Sequence, residues 1–254
     1  MVAQAEKFIL SGKVILVTGA VGGIGSQVAL AYARHGATVI LLDKHLAQLE
    51  RLYDVILQET NIEPAIFPVD FKGATAADYQ QLAQSIQDVF GHLDGLVHCA
   101  ADVGQLAPVA NQDIRQWMET LQVNLTATYL LTHACLTLLR QAPQQSFIIF
   151  TTDSQQNKAY RGAYGMSKAA IECFCHQLSL ECEAEGKVKV TCLDPGQVKT
   201  KLHARVYPAI DPQNIVDPCA IIPAYLYIAS EESRHLHGQC LSAQMDEIPV
   251  KILS

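Results

Sequence analysis

The sequence predicts an α/β protein: a doubly wound parallel sheet of about seven strands with helices on both faces. Three observations support this class. Short β-branched runs alternate with longer helical patterns, the runs are apolar throughout, and no Gly/Ser linker, repeat or low-complexity segment divides the 254 residues. Strands that are apolar on both sides are typical of parallel sheets covered by helices on each face. We therefore expect residues 1–254 to form a single domain.

The first half of the chain alternates strand and helix patterns. Each predicted strand is a short apolar or β-branched run, and each predicted helix repeats apolar residues every three or four positions. In order, we expect a strand at 14–17, a helix at 23–35, a strand at 38–42, a helix at 46–59, a strand at 65–69, a helix around 79–90 and a strand at 95–99.

The second half continues the alternation. We expect a long helix over about 114–139, a strand at 147–150, a helix over about 162–185 that ends at Gly186, and a strand at 188–192. Asp217 and Pro218 predict the start of a helix that runs to Ala229, because aspartate accepts a free helix N–H and proline lacks one. A final strand is expected near 239–243.

Composition restricts the partners and the location. The 25 acidic and 18 basic residues give a net charge of −7, which disfavours nucleic acid and anionic lipid. The apolar runs are far shorter than the ~18–20 residues of a membrane-spanning helix, and Glu6 and Lys7 interrupt any secretory signal. We expect a soluble cytoplasmic protein with reduced cysteines. No metal site is predicted, since Cys173 and Cys175, beside His176, point apart on a helix.

A glycine-rich turn directly follows the first strand. The segment Thr18-Gly19-Ala20-Val21-Gly22-Gly23-Ile24-Gly25 leads straight into a helix. Glycines there permit a tight turn and close approach of backbone N–H groups to a pyrophosphate, and the helix N-terminus adds partial positive charge. The strand, turn and helix context predicts a Rossmann-type dinucleotide site, with Gly19, Val21, Gly23, Ile24 and Gly25 as its binding residues.

The end of the second strand predicts the form of the dinucleotide. Asp43 stands about twenty residues beyond the glycines, where a carboxylate accepts hydrogen bonds from the adenosine ribose of NAD and repels the 2′-phosphate of NADP. Lys44 beside it offers a phosphate contact instead. We expect NAD, with NADP as the alternative.

A tyrosine and a lysine lie four residues apart in Tyr164-Gly165-Met166-Ser167-Lys168. This spacing puts both side chains on one helix face, where the ammonium can lower the pKa of the phenol and hold cofactor hydroxyls. Alone the pair is a weak signal, but it accompanies the glycine turn.

Together these motifs resemble the short-chain dehydrogenase/reductase family in its compact single-domain branch. The resemblance covers nearly the whole chain. It is carried by Thr18-Gly19 to Gly25, Asp43, Val69-Asp70, Asn124 in Gln122-Val123-Asn124, Tyr164 with Lys168, and Asp194-Pro195-Gly196-Gln197-Val198 with Thr200.

The resemblance implies roles for these residues. Tyr164 would be the general acid/base, Lys168 would support the tyrosinate and contact the nicotinamide ribose, and Asn124 would hold a water in the proton relay. The remaining family positions would bind cofactor: Asp70 at the adenine, Ala100 beside the cofactor, and Pro195, Gly196, Val198 and Thr200 around the nicotinamide and its phosphates.

Two departures from the family pattern concern the site. His98-Cys99-Ala100-Ala101 replaces Asn-Asn-Ala-Gly, and Asp153 stands where the family has a substrate-polarising serine. An aspartate there would disfavour tyrosinate and repel negative charge on the substrate oxygen. Three readings stay open: Ser154 moves into the position, Asp153 serves a modified mechanism, or the protein binds cofactor without efficient turnover.

We therefore expect an NAD(H)-dependent oxidoreductase that interconverts a secondary alcohol and a carbonyl. The alternative is a regulatory or structural protein that binds the same cofactor with impaired catalysis; a methyltransferase would have no use for Tyr164 and Lys168. The substrate would be covered by a segment at about 199–217, whose basic residues could attract an acidic substrate but more often form a solvated face. A homodimer or homotetramer is expected through the helices at 114–139 and 162–185.

Overall fold

Seven parallel strands form one sheet in a computed structural model that describes residues 8–211, 213 and 215–244. The sheet order is β3-β2-β1-β4-β5-β6-β7, and every neighbouring pair is parallel. This confirms the predicted fold. The strands are β1 (Val14–Thr18), β2 (Thr38–Asp43), β3 (Ala65–Pro68), β4 (Gly95–His98), β5 (Ser146–Thr151), β6 (Val188–Asp194) and β7 (Cys240–Ser242).

Helices cover both faces of this sheet. The described residues contain α1 (Gly23–Arg34), α2 (Leu46–Thr60), α3 (Ala76–Phe90), α4 (Ile114–Leu121), α5 (Ala127–Arg140), α6 (Gly162–Glu183), α7 (Lys201–Val206) and α8 (Ile222–Ala229). Helices α1, α2 and α8 share one apolar core with one side of the strands, and α3, α5 and α6 share a second core with the other side. The strands are apolar on both sides because each side meets a layer of helices.

The sheet topology creates a crevice at its centre. Strand order reverses between β1 and β4, so the connections after these neighbouring strands leave toward opposite faces. Ligands of open α/β sheets bind in such a crevice, outside the carboxyl ends of the strands. Thr18 at the end of β1 and His98 at the end of β4 therefore mark the position of the site.

The long helix expected over 114–139 is interrupted. A π-helical turn, Gln122–Thr126, separates α4 from α5, and the N–H of Ala127 reaches back to the carbonyl of Gln122. This turn contains the predicted site residue Asn124. Such single wide turns often occur at functional sites, and the apolar periodicity gave no sign of it.

Several element boundaries differ from the sequence prediction. The prediction of Asp217 as a side-chain cap is wrong: its carbonyl, and not its carboxylate, accepts the N–H of Ala220, and a 3₁₀ turn at Pro218–Ile221 precedes α8. Helix α3 begins earlier than expected because Thr75 and Asp78 form a capping box. Helix α7 was not predicted; it is a short helix with Thr200 as its N-cap.

Some expectations concern residues outside the described ranges. Glu6 and Lys7, and the extension of the domain to residue 254, lie outside them. In the part of the chain that the structure describes, no helix combines the length and apolarity needed to cross a membrane.

Candidate active site

The glycine turn after β1 is closed so tightly that side chains are excluded. Gly19 has φ +61°, and a Cβ added there would lie 2.8 Å from the Cα of Ala100. A Cβ at Gly25 would lie 2.2 Å from the carbonyl oxygen of Gly19. The N–H of Gly22 donates to that same oxygen at 2.9 Å. These contacts give the physical reason for glycine at the predicted positions Gly19 and Gly25.

A second loop, after β6, lies against this turn. A Cβ added at Gly23 would lie 2.7 Å from Cγ2 of Thr200. Thr200 is held in place because its Oγ1 accepts the N–H of His203 at 3.0 Å. Gly196 has φ +68° and donates its N–H to Oδ1 of Asp194 at 2.8 Å. Of the predicted residues in this loop, Thr200 lies against the glycine turn, and the cofactor contacts of Pro195, Gly196 and Val198 stay predictions.

The two loops fit the pyrophosphate of a dinucleotide. Helix α1 starts at Gly23 with no side-chain cap from Gly22 and no acidic residue in its first turn, and both glycines are exposed. Its N-terminal N–H groups can thus meet an anion. Ile24 follows in the same turn and packs against the core, which anchors the start of the helix.

Asp43 closes the side of the turn next to β2. Its Oδ2 accepts the N–H of Val21 at 3.4 Å, and its Oδ1 lies 2.9 Å from Nδ1 of His45. The carboxylate side chain is only 12% exposed, whereas Lys44 is exposed. Asp70 is also exposed, and its Oδ1 accepts the N–H of Lys72 at 3.1 Å. Asp70 is therefore a turn residue here, and its adenine contact stays a prediction.

The segment His98-Cys99-Ala100-Ala101, which departs from the family pattern, is hydrogen-bonded to the end of β1. Oγ1 of Thr18 accepts the N–H groups of Cys99 and Ala100 at 3.1 and 3.2 Å. The His98 side chain is buried against Thr132, with Nε2 3.0 Å from Oγ1. Burial lowers the pKa of His98 to about 3, so this imidazole is neutral. The backbone, and not a side-chain amide, borders the glycine turn here.

Helix α6 places Tyr164 and Lys168 on one face at the edge of the crevice. Both side chains are buried, and the Lys168 ammonium lies 5.9 Å from the centre of the Tyr164 ring. The ammonium donates to the carbonyl of Thr151 at 2.7 Å. Burial lowers the pKa of Lys168, and the negative charge of Asp153 opposes that shift. The predicted pairing of tyrosine and lysine is thus present.

Asp153, and not Ser154, meets the tyrosine. The Tyr164 hydroxyl donates to Oδ2 of Asp153 at 3.1 Å. Ser154 is exposed, and its backbone N–H donates to Oδ2 of Asp194 at 3.2 Å. Thr152 is turned away, because its hydroxyl donates to Glu172 at 2.7 Å. A carboxylate therefore occupies the place where the family resemblance implies a hydroxyl.

This carboxylate changes the acid–base state of the tyrosine. Burial raises the pKa of Tyr164 far above its usual value. The charge and the hydrogen bond of Asp153 raise this pKa further. The phenol is therefore protonated at neutral pH, as expected from the sequence for an aspartate at this position, and the lowering of its pKa that Lys168 alone suggested does not prevail. Tyr207, at the end of α7, also donates its hydroxyl to both oxygens of Asp153, at 3.3 and 3.4 Å.

The Asn124 side chain connects the π-helical turn to the loop after β4 and to α6. Its Oδ1 accepts the N–H of Asp102 at 2.7 Å, and its Nδ2 donates to the carbonyl of Asp102 at 2.8 Å and to Oγ of Ser167 at 3.0 Å. The amide thus links the loop after β4 to the helix that carries Tyr164. Its role in holding a water stays a prediction.

A small apolar cluster surrounds the Tyr164 ring. Val103 and Val206 pack against Tyr164, with Leu106 and Leu202 at the edge of this cluster. Sequence reasoning missed Tyr207, because it reaches the site only through the folding of α7. A second missed residue is Arg161, whose guanidinium lies 4.3 Å from the centre of the Tyr207 ring and donates to the carbonyl of Val206 at 3.2 Å.

The basic residues of the covering segment do not form one surface. Lys199, Lys201 and Arg205 are exposed, whereas His203 is buried and stacks on Tyr207 with ring centres 4.8 Å apart. Burial lowers the pKa of His203. The exposed members are consistent with a solvated face.

The cysteines carry no disulfide, and all eight lie among the described residues as free thiols. Cys173 is exposed and Cys175 is buried, as expected from their opposite directions on α6. Within residues 8–211, 213 and 215–244, no group of three or more His, Cys, Asp or Glu could hold a metal ion.

Comparison with known proteins identifies relatives of this architecture. The sequence model of the short chain dehydrogenases matches residues 13–211. The chain is 37% identical over 248 residues to YciK, an uncharacterized oxidoreductase of Escherichia coli, covering 97% of both chains. It is 30% identical over 213 residues to the Saccharomyces cerevisiae benzil reductase ((S)-benzoin forming) IRC24, covering 80% of this chain and 78% of the yeast protein.

Solved structures agree with these sequence matches. A Shigella flexneri short chain dehydrogenase complexed with NADP is 36% identical, with a TM-score of 0.90 over 94% of this chain and 100% of the other. An Escherichia coli short chain dehydrogenase complexed with NADPH is 37% identical, with a TM-score of 0.90 over 95% of this chain and 100% of the other.

Proposed function

The chain belongs to the short chain dehydrogenase family, and from that premise we propose a nicotinamide-dependent oxidoreductase that interconverts a secondary alcohol and a carbonyl. The strongest support is the position of Tyr164. Its hydroxyl donates to Asp153, its ring packs against Val103 and Val206, and Lys168 shares its helix face. A phenol in that position can exchange a proton with a substrate oxygen.

The cofactor would be held by the residues already described around the glycine turn. When bound, a nicotinamide supplies the hydride chemistry. The chain supplies the N–H groups at the start of α1 for the pyrophosphate, the Asp43 carboxylate for the adenosine ribose, and the loop that ends at Thr200 for the nicotinamide half. Lys168, buried beside Tyr164, would contact the nicotinamide ribose.

Tyr164 is suited to the acid role. Its raised pKa keeps the phenol protonated at neutral pH, so a proton is available to an alkoxide that forms at the reacting carbon. Asp153 accepts the hydrogen bond of this proton, and Tyr164 would have to transfer that bond to the substrate oxygen. The direction favoured by this arrangement is carbonyl reduction.

We also propose NAD(H) as the preferred cofactor. The Asp43 carboxylate would lie near a 2′-phosphate and repel it. This preference is not confirmed, since two structural neighbours are complexed with NADP and NADPH. Direct titration of NADH and NADPH decides between them: tighter binding of NADPH would contradict the preference and assign the phosphate to Lys44.

A second candidate function is a cofactor-binding protein with impaired catalysis. It is favoured by one observation, the carboxylate of Asp153 in place of a hydrogen-bond-donating hydroxyl beside Tyr164. A carboxylate repels the negative charge that develops on a carbonyl oxygen during reduction. Tight cofactor binding without turnover of any carbonyl, alcohol or imine would support this candidate.

The proposal is tested with Tyr164→Phe. We expect this variant to bind reduced cofactor with wild-type affinity and to lose turnover on a panel of ketones and alcohols, because the ring still packs while the transferable proton is gone. Phe71→Leu, in the core on the α3 side, serves as a control for general packing damage. Wild-type turnover by Tyr164→Phe would contradict the proposed role.

A homodimer or homotetramer in the cytoplasm stays a prediction. The helices expected at the subunit interface expose large apolar side chains, among them Ile114, Met118, Tyr129, Met166 and Leu180. Burial of such residues between subunits would stabilise an oligomer. A monomer mass by light scattering at micromolar concentration would contradict the oligomer.

A further inference from the structure

Among the residues that the structure describes, the carboxylate of Asp153 has no ion-pair partner beside the proposed acid. None of the ion pairs found within residues 8–211, 213 and 215–244 includes Asp153. The two nearby cations are engaged elsewhere: Lys168 donates to the carbonyl of Thr151, and Arg161 donates to the carbonyl of Val206.

Hydrogen bonds fix the direction of this carboxylate. Its Oδ2 accepts from Tyr164, its Oδ1 accepts the N–H of Gln155 at 2.8 Å, and Tyr207 donates to both oxygens. The Tyr207 ring is in turn held by contacts with Arg161 and His203. Tyr207 is therefore a positioning residue that keeps the Asp153 charge at the substrate side of Tyr164.

This arrangement suits a cation better than a carbonyl. Reduction of a ketone places negative charge on oxygen, next to the Asp153 carboxylate, where an anion is unfavourable. An imine is instead reactive as the protonated iminium, and an adjacent carboxylate favours that charged form. Val103 and Val206 pack against Tyr164 beside this carboxylate, and a charge pair next to apolar side chains is screened less than one in water.

We propose that Asp153 is the counter-ion for a protonated C=N group, so that the site reduces imines to amines and, in reverse, oxidises amines. This inference rests on the proposed nicotinamide-dependent hydride transfer and assigns a C=N group, in place of a C=O group, as its substrate class. The iminium carbon accepts a hydride from the reduced nicotinamide, and the π pair of the C=N bond becomes the lone pair of the amine nitrogen. The products are the amine and the oxidised cofactor, and the amine takes a proton from Tyr164 or solvent.

The test compares an imine and a ketone of one bicyclic skeleton. Dihydroisoquinoline and α-tetralone are offered with reduced cofactor to the wild type, Asp153→Asn and Asp153→Ser. We expect the wild type to favour the imine at least about tenfold in kcat/KM, and Asp153→Ser to shift the imine-to-ketone ratio toward the ketone by roughly 10²–10³. Asp54→Ser, the same charge change at an exposed site on α2, is expected to leave the ratio unchanged.

A binding measurement gives a readout that does not depend on turnover. Tetrahydroisoquinoline, a cation at neutral pH, and α-tetralol, which is neutral, are titrated by calorimetry into the chain loaded with reduced cofactor, with which neither compound can react. We expect Asp153→Asn to weaken binding of the amine at least about tenfold and to leave binding of the alcohol unchanged, as expected for loss of one close charge.

The possible outcomes separate this inference from the proposed function. A wild type that favours the ketone, or an Asp153→Ser variant with an unchanged ratio, overturns the imine inference and leaves the oxidoreductase standing. If cofactor binds and neither compound is turned over, the proposed function fails, and the amine titration decides whether Asp153 is a cation site. Amine binding that is insensitive to Asp153→Asn overturns it in either case.

Discussion

The contact between Gly23 and Thr200 predicts a specific, reversible defect in cofactor binding. A Cβ at Gly23 would lie 2.7 Å from Cγ2 and 3.1 Å from Cβ of Thr200. Ordinary carbon–carbon contacts lie at about 3.5–4.0 Å, so Gly23→Ala must push the two loops apart by roughly 1 Å. Such overpacking costs about 1–3 kcal/mol.

The cost of this clash should appear mainly in cofactor affinity. The two loops are the sides of the proposed cofactor cradle, and their separation displaces the N–H groups at the start of α1. A loss of about 1–2 kcal/mol corresponds to roughly 5–30-fold weaker binding. The measurement is a titration of reduced nicotinamide fluorescence, with thermal unfolding recorded in parallel to separate affinity from stability.

A second substitution makes the prediction specific to this contact. Thr200→Ser removes the methyl Cγ2 but keeps Oγ1, which accepts the N–H of His203 at the start of α7. The double variant with Gly23→Ala should therefore recover most of the lost affinity. Gly73→Ala is the matched control, since a Cβ there meets nothing within 4 Å. Unchanged affinity of Gly23→Ala, or no recovery with Thr200→Ser, would refute the reasoning.

Three further predictions concern charges in and near the site. Asp43→Asn should improve the affinity for NADPH relative to NADH roughly tenfold, because it removes about 1–2 kcal/mol of repulsion from the 2′-phosphate; an unchanged ratio by titration would contradict the role of Asp43. Asp153→Asn should lower the pKa of Tyr164, because the carboxylate helps to raise it; the tyrosinate absorbance that Tyr164→Phe removes should then appear at lower pH than in the wild type, and an unaltered titration would be inconsistent with this. Burial lowers the pKa of His98 from 6.5 to about 3 in the folded protein. The imidazole therefore binds a proton more readily in the unfolded chain, and the free energy of unfolding decreases as pH falls below about 6.5. Denaturant unfolding should show about 2.7 kcal/mol of this loss by about pH 4.5, relative to His98→Asn; equal acid sensitivity of the two proteins would show that His98 is not responsible.

The strands of the sheet could be predicted because burial on both faces restricts the residues of each strand itself. Buried parallel strands need continuous apolar runs, and β1 and β2 show them directly in the sequence. The glycine turn could be predicted for a similar reason: Gly19 and Gly25 occupy positions where a Cβ would collide with neighbouring backbone. The strand pattern reflects burial on both faces of the sheet, and the glycine pattern reflects the lack of space for a Cβ.

The centre of the site depends on contacts that no local pattern encodes. Spacing alone left Asp153 and Ser154 as alternatives, and the path of the loop after β5 decides between them. Tyr207 reaches Asp153 across more than fifty residues, through the packing of a short helix. The π-helical turn at Asn124 adds one residue to a single helical turn, a change too local to be recognised in the apolar pattern of the whole segment 114–139.

A crystal structure of the chain with bound reduced cofactor and dihydroisoquinoline tests most directly whether Tyr164 and Asp153 belong to a nicotinamide site. We expect the pyrophosphate at the start of α1, the nicotinamide ring between the loop that ends at Thr200 and the Tyr164 hydroxyl, and the imine nitrogen within hydrogen-bond distance of Asp153. A nicotinamide ring bound away from Tyr164, or a substrate that meets the Ser154 hydroxyl while Asp153 faces solvent, would contradict this assignment.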